Sequence, residues 1–170
     1  MGAKLDIDVA GAGIFGVWQA LTLARAGHRV RLFEASAEPF ATAQSRFAGA
    51  MLAPWCEAEA AEPIVRDAGI ACLPLWLEAC PGIVKAGTLV VAQSRDLSEL
   101  KRFARLAPGH EVVDGERIDD LEPDLAGRFR RALFFPDEAH LDPRRALATL
   151  AERLADQGVT IRFGVDLSPE

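Results

Sequence analysis

A parallel α/β sheet interrupted by a long insertion is the fold class this sequence predicts. Residues 5–34 pattern as strand, turn, helix, strand, with Gly11-Ala12-Gly13-Ile14-Phe15-Gly16 at the turn. Residues 143–163 resume that pattern, and about a hundred residues of different character separate the two stretches. The 170 residues amount to one ordinary domain or part of a larger fold. Half of them are hydrophobic and 26% are charged, enough apolar surface to fill a core and too much for wholesale disorder. With 19 Lys plus Arg against 25 Asp plus Glu, the net charge is −6, which disfavours a general electrostatic grip on nucleic acid or anionic lipid.

Leu5 to Ala10 alternates like a strand and runs into Gly11. Ile14, Val17, Trp18, Leu21 and Ala24 then recur at helical spacing until Gly27 supplies a left-handed stop. Arg29 to Phe33 reads as the second strand, rich in β-favouring residues and ending at Glu34. Residues 35–54 have Ser, Gly and Pro but little period, which suits a long functional loop. The insertion predicts a helix over Ile64–Cys80, a strand over Gly87–Ala92, a helix over Leu97–Leu106 capped by Ser94 or Asp96, a short helix over Arg117–Leu121 and a strand end at Ala132–Phe135. Asp142-Pro143 is a helix start, with Leu147, Leu150, Ala151 and Leu154 as an apolar stripe ahead of Gly158. Val159 to Phe163 completes three parallel strands.

In Gly11–Gly16 each glycine of G-x-G-x-x-G has a separate task. The first permits the tight turn, the second lets a pyrophosphate approach the backbone, and the third lets the helix lie close on the sheet. The helix N-terminus offers unpaired N–H groups to an anion. Glu34, 18 residues beyond Gly16, ends the second strand where a carboxylate can accept both ribose hydroxyls and would repel a 2′-phosphate. These residues predict a dinucleotide site and disfavour NADP, without separating NAD from FAD.

Asp6 and Asp8 interrupt a strand that should be apolar if buried on both faces. Parity places them on the face of Arg29 and Arg31, so a cross-strand pair of Asp8 with Arg31 or Arg29 is expected. If buried, that pair would be strongly destabilised by removing one partner.

A second constellation is Ser45-Arg46-Phe47-Ala48-Gly49-Ala50-Met51-Leu52-Ala53-Pro54, followed by Cys56-Glu57-Ala58-Glu59. Its small residues let backbone approach a flat ring, and Ser45 can bond a phosphate or ribityl oxygen. With the βαβ start, A-G-A-M-L-A-P and nearby acids resemble the flavin-contacting loop of glycine oxidase, in the D-amino-acid oxidase group of FAD enzymes. The resemblance continues through Leu121-Glu122-Pro123-Asp124-Leu125 and through Phe135-Pro136-Asp137-Glu138-Ala139-His140-Leu141-Asp142-Pro143-Arg144-Arg145, and so covers nearly the whole chain. It implies a Rossmann-like, three-layer FAD-binding fold with an inserted α+β substrate-domain portion. The FAD-binding part would be residues 1–55 and 141–170, and the insertion 56–140.

Carried over residue by residue, the resemblance implies that Gly11, Ala12, Gly13, Ile14, Phe15 and Gly16 hold the pyrophosphate and Glu34 and Ala35 the adenosine ribose. Gln44 and Ser45 would lie on the ribityl-phosphate side, Gly49, Ala50 and Met51 at the flavin, and Leu167 at the adenine. Arg46 and Phe47 depart from the common pattern, being bulkier than the small residues often found there. The implied activity is oxidation of a glycine-like amine to an imine with O2 as acceptor and H2O2 as product, in thiamine biosynthesis, with a small amino acid as substrate. Sarcosine and D-amino-acid oxidases, a catalytically incomplete FAD-binding fragment and an NAD-dependent dehydrogenase half are the alternatives. Family members are about twice as long, so the chain reads as an N-terminal portion whose missing half would complete the site. Alone it would leave a sheet edge and an apolar face uncovered, with association, including homo-oligomers, as the consequence.

No catalytic side chain and no metal ligand are expected. His28, His110 and His140 are scattered and read as surface or loop residues. Cys56, Cys72 and Cys80 form no C-x-x-C pair or zinc spacing and read as reduced thiols, Cys56 packed rather than redox-active. The first ten residues match neither a signal peptide nor a membrane span, so a cytoplasmic location and no membrane partner are expected. Trp18, Trp55, Trp76 and Phe134-Phe135 are expected in cores, and Arg144-Arg145 on a solvated helix face.

Overall fold

The computed structural model describes residues 3–167. In chain order its elements are β1 (Asp6–Ala10), α1 (Ile14–Arg25), β2 (Arg29–Glu34), β3 (Met51–Leu52), α2 (Pro54–Glu57), α3 (Pro63–Ala79), β4 (Thr88–Val91), α4 (Leu97–Leu106), β5 (Glu111–Asp114), α5 (Gly115–Leu121), β6 (Arg131–Phe135), β7 (Ala139–His140), α6 (Pro143–Asp156) and β8 (Thr160–Phe163). They form two compact units, one of residues 1–50, 78–82 and 141–170, the other of residues 51–77 and 83–140.

The first unit holds a parallel sheet in the order β1-β2-β8, the three-strand arrangement expected from the two separated patterns. Helix α1 stops at Arg25, and Gly27 follows with φ +92°, a left-handed conformation that costs glycine nothing. Helix α6 begins as its sequence dictates. Asp142 Oδ1 accepts the N–H groups of Arg144 (2.8 Å) and Arg145 (3.2 Å), while Pro143 occupies the first turn, where no intrahelical donor is needed. Val17, Ala20 and Leu21 of α1 and Ala146, Leu147, Leu150 and Leu154 of α6 are buried with Val30 and Leu32 of β2.

The opposite face of that sheet carries charge. Asp6 pairs with Arg29 and Asp8 with Arg31, each as a two-pronged guanidinium–carboxylate contact between directly opposed residues. Both expected partners of Asp8 are thus on its face, and Arg31 is the one taken. Burial is not met: the four side chains are 42–67% exposed. A sheet covered on one face needs apolar residues only there, so alternation of charged and apolar residues is the pattern that fits. Arg31 and Arg162 also stack over the Phe33 ring at 5.7 and 5.8 Å.

The second unit is built on an antiparallel sheet in the order β4-β6-β5. Strand β6 alternates between two small cores. Leu133 and Phe135 pack with Leu100 and Ala107, against Trp55, Val90 and Phe103. Ala132 and Phe134 pack with Val113 and Ile118, against Leu89, Leu121 and Phe129. Strands β3, β5 and β7 and helix α2 are absent from the sequence expectation, β3 falling inside the stretch read as a loop, and α5 begins at Gly115, two residues early, because Asp114 caps it by accepting the Arg117 N–H at 3.0 Å. Asp96 sits at the α4 N-cap position without a side-chain hydrogen bond, so neither proposed cap acts there. Among the described residues no helix is long and apolar enough to cross a membrane, and no cluster of His, Cys, Asp or Glu can hold a metal ion.

The Arg29 and Arg31 hydrogen bonds hold the Asp6 and Asp8 carboxyls below their ordinary value of 3.8. A depressed carboxylate stabilises the fold above its unfolded pKa, and that contribution is lost as pH falls through the lower folded value. Exposed pairs are also screened by salt. Thermal melting of Asp8→Ala beside wild type is expected to show a small loss at pH about 7, less of it in about 1 M salt, and none once the pH is below the folded pKa. A large, salt-insensitive loss would contradict the exposed placement.

Candidate nucleotide site

The chain leaves β1 through Gly11, whose φ of +88° only glycine adopts without strain and around which a Cβ would meet nothing within 4 Å. Ala12 is fully buried. Gly13 is the N-cap of α1, and the first intrahelical bond runs from the Val17 N–H to the Gly13 carbonyl (3.0 Å). The amides of Ile14, Phe15 and Gly16 therefore precede the helix ladder at its positive end, and that of Ile14 is taken by the Ser45 hydroxyl at 2.9 Å. No acidic residue stands in that first turn to compete for them. A Cβ on Gly16 would lie 1.9 Å from the Gly11 carbonyl oxygen, so α1 reaches the turn only because this side chain is missing. A Cβ on Gly13 would meet only the Ser45 hydroxyl, at 3.7 Å.

Glu34 is 7% exposed, and its carboxylate is held by backbone. Oε2 accepts the Ala12 N–H at 2.8 Å and Oε1 the Ser36 N–H at 3.0 Å. The acid at the end of β2 is thereby fixed to the glycine turn, leaving each oxygen with further lone-pair capacity. Beside it lies a cleft of about 370 Å³ lined by Ala10, Gly11, Phe33, Glu34, Ala35, Val165, Asp166 and Leu167, within the size range of small-molecule sites. Leu167, named from sequence for the adenine, and Ala35, named for the ribose, both line it.

Ser45 lies in a 3₁₀ turn over Gln44–Phe47, and its Oγ accepts the Ile14 N–H at 2.9 Å. This joins the second sequence constellation to the first. Gln44 is exposed in the same turn. Ala50 has φ +53°, an uncommon backbone for a residue with a Cβ, and its carbonyl accepts the Leu141 N–H at 3.1 Å. Gly49 is exposed, and so is Phe15 at the helix start. Met51 belongs to the second unit, where β3 pairs with β7, Met51 opposite His140 and Leu52 opposite Ala139. It is 57% exposed.

Burial, and then a hydrogen bond to Glu138, push the Cys56 thiol far above its ordinary range, so it stays protonated and is a poor nucleophile. His110 Nδ1 lies 2.8 Å from the Ala107 carbonyl, and His28 Nδ1 accepts the Leu5 N–H at 3.3 Å. These contacts fit the surface-or-loop reading. Sequence reasoning missed Glu138, which is fully buried.

The cleft, the side-chain-free turn and the buried acid fit the adenosine diphosphate half of a dinucleotide. A family described as "DAO: FAD dependent oxidoreductase" matches residues 6–168. A protein of Rhizobium etli named "Putative thiamine biosynthesis oxidoreductase ThiO" is 53% identical over 162 residues, which are 95% of this chain and 49% of that protein. The chain thus spans about half the length of the curated relative it matches. Among solved structures, glycine oxidase from Geobacillus kaustophilus is similar with a TM-score of 0.77 and 22% identity, over 95% of this chain and 47% of that one. Iminodiacetate oxidase from Chelativorans sp. BNC1 gives 0.73 and 23%, over 95% and 46%. The FAD-bound L-α-glycerophosphate oxidase of Mycoplasma pneumoniae gives 0.74 and 19%, over 95% and 45%. At these identities the structural likenesses show the fold.

The second and third glycines of the turn should separate folding from binding. Gly16→Ala forces α1 off the turn and is expected to cost about 1–3 kcal/mol, read as a lower Tm. Gly13→Ala meets no backbone, so its Tm should stay near wild type while ADP affinity falls about tenfold or more. Equal melting of both variants would contradict the geometry.

Proposed function

Because the chain belongs to the DAO family of FAD-dependent oxidoreductases, we propose that it forms the nucleotide-binding portion of an amine oxidase of the glycine oxidase type, serving thiamine biosynthesis. The observation that carries the binding half of this reading is the buried Glu34 carboxylate bonded to the Ala12 amide of the side-chain-free turn. Family membership favours FAD over the NAD-dependent alternative.

In this reading the amides at the start of α1 hold the pyrophosphate, and Glu34 accepts the ribose hydroxyls while Ala35 and Leu167 bound the adenosine. Ser45 and Gln44 face the ribityl-phosphate, and Gly49, Ala50 and Met51 lie along the flavin. Bound FAD would supply a two-electron acceptor that O2 restores. The substrate, a glycine-like primary or secondary amine, loses its α hydrogen with two electrons as hydride and its N–H proton to solvent, leaving an imine. O2 takes the two electrons and two protons to become H2O2. Orientation of the α C–H bond is what the protein contributes, so no residue described here need act as general acid or base. Turnover is proposed for a polypeptide of the relatives' full length. The three cysteines, free among the described residues, suit a reducing cytoplasm.

Purification tests the reading. The chain is expected to take up FAD and show a visible band near about 450 nm, as bound flavins do, and Glu34→Ala to lose most of it. A full-length version should release peroxide with glycine and less with D-alanine. A protein that binds ADP but no flavin would overturn the cofactor assignment, and one that prefers D-alanine the substrate assignment.

A further inference from the structure

Residues 51–77 of the second unit enclose a cavity between β3 and α2 on one side and α3 on the other. It measures about 180 Å³, room for about six water-sized groups. The two sides are pinned where Pro54 meets Gly69: a Cβ on Gly69 would lie 2.8 Å from the Pro54 Cβ. Glycine weakens a helix interior, and here its missing side chain is what lets α3 come that close to α2. Leu52, Val65 and Leu73 supply apolar walls, and the Trp76 ring lines the same space. One carboxylate joins them. Glu57, the last residue of α2, is exposed, and its carboxylate has no hydrogen bond or salt bridge among the described residues. The neighbouring acid Glu59 is taken by Arg102 at 2.6 Å, and Arg66, the one cation of α3, is held by Asp67 at 2.7 Å. No Lys, Arg or His among the described residues lines the cavity.

We propose that this cavity binds a small organic ammonium, a protonated primary amine on a short branched alkyl body. The ammonium donates to the Glu57 carboxylate and faces the Trp76 indole, whose π cloud attracts a cation. The alkyl body displaces water from Leu52, Val65 and Leu73. A neutral alcohol of the same shape keeps only the apolar part of this, and a carboxylate is repelled by Glu57. Nothing in the assignment rests on the nucleotide reading, since its residues all lie within 51–77 and no nucleotide enters the test.

Cys72 lines the cavity and is exposed, whereas burial raises the thiol pKa of Cys56 and of Cys80. A neutral maleimide is therefore expected to label Cys72 first. The test follows that labelling in the 170-residue chain at neutral pH with isobutylammonium, isobutanol or isovalerate present. Isobutylammonium is expected to slow it with a half-effect at millimolar concentration, as suits a ligand of about five heavy atoms, and the other two to need at least about fivefold more. Glu57→Gln, a change at an exposed position, is expected to weaken isobutylammonium about threefold or more and to leave isobutanol within about twofold. Val65→Phe fills part of the cavity and is expected to remove the protection. Isobutanol or isovalerate as effective as isobutylammonium overturns the assignment, and so does an absence of slowing at millimolar isobutylammonium. A Glu57→Gln that keeps the full preference for the amine, or a Val65→Phe protected as well as wild type, places the ligand elsewhere and overturns it too.

Discussion

The candidate site depends on the closeness of α1 to the end of β1. With a Cβ on Gly16 the helix would collide with the Gly11 carbonyl, and the amides of its first turn would point elsewhere. Removing that one side chain lets a helix start aim its positive end across the mouth of a parallel sheet. Glu34 then does two things with one carboxylate. It bonds the Ala12 amide, which fixes the turn, and it places negative charge at the edge of the cleft, where sugar hydroxyls can donate and a second phosphate cannot approach. In the proposed reading, amides that bind an anion and an acid that accepts hydroxyls sit side by side without neutralising each other, because backbone N–H groups carry no full charge.

The two units solve different problems with different patterns. In the first, apolar side chains alternate with the Asp6–Arg29 and Asp8–Arg31 pairs, so one sheet face is buried beneath helices and the other is charged. In the second, β6 buries both of its faces in separate small cores, and its sequence Arg131-Ala132-Leu133-Phe134-Phe135 is accordingly apolar after the first residue. Glu138 stands three residues beyond the end of that apolar strand. Its burial is an electrostatic burden in the second unit, whereas Glu34 in the first is relieved by two amide donors.

Much of the fold was legible because its signals are local. The glycine turn, the Asp142-Pro143 helix start and the 3.6-residue stripe of Leu147, Leu150 and Leu154 each lie within a few residues, and the structure places α1, β2, α6 and β8 close to where those signals put them. The short strands β5 and β7 were not legible. Four and two residues carry too little alternation, and their stability comes from partners at Ala132 and Leu52 far along the chain. The same limit hid Glu138: nothing near it signals burial, and its partner Cys56 is 82 residues away. The exposure of the aspartate–arginine ladder was likewise invisible, since parity fixes which residues share a face but not whether anything covers it. The resemblance named residues for the site, and the structure joins Gly13, Ile14 and Ser45 at one helix start and Glu34, Ala35 and Leu167 at one cleft.

The most direct measurement of the central claim is a backbone amide NMR titration of the chain with ADP. The largest shifts are expected on Gly11 to Gly16, with a second set at Ala35, Ser36 and Leu167. Shifts confined to other surfaces, or binding that leaves the Gly13 and Ile14 amides unmoved, would contradict it.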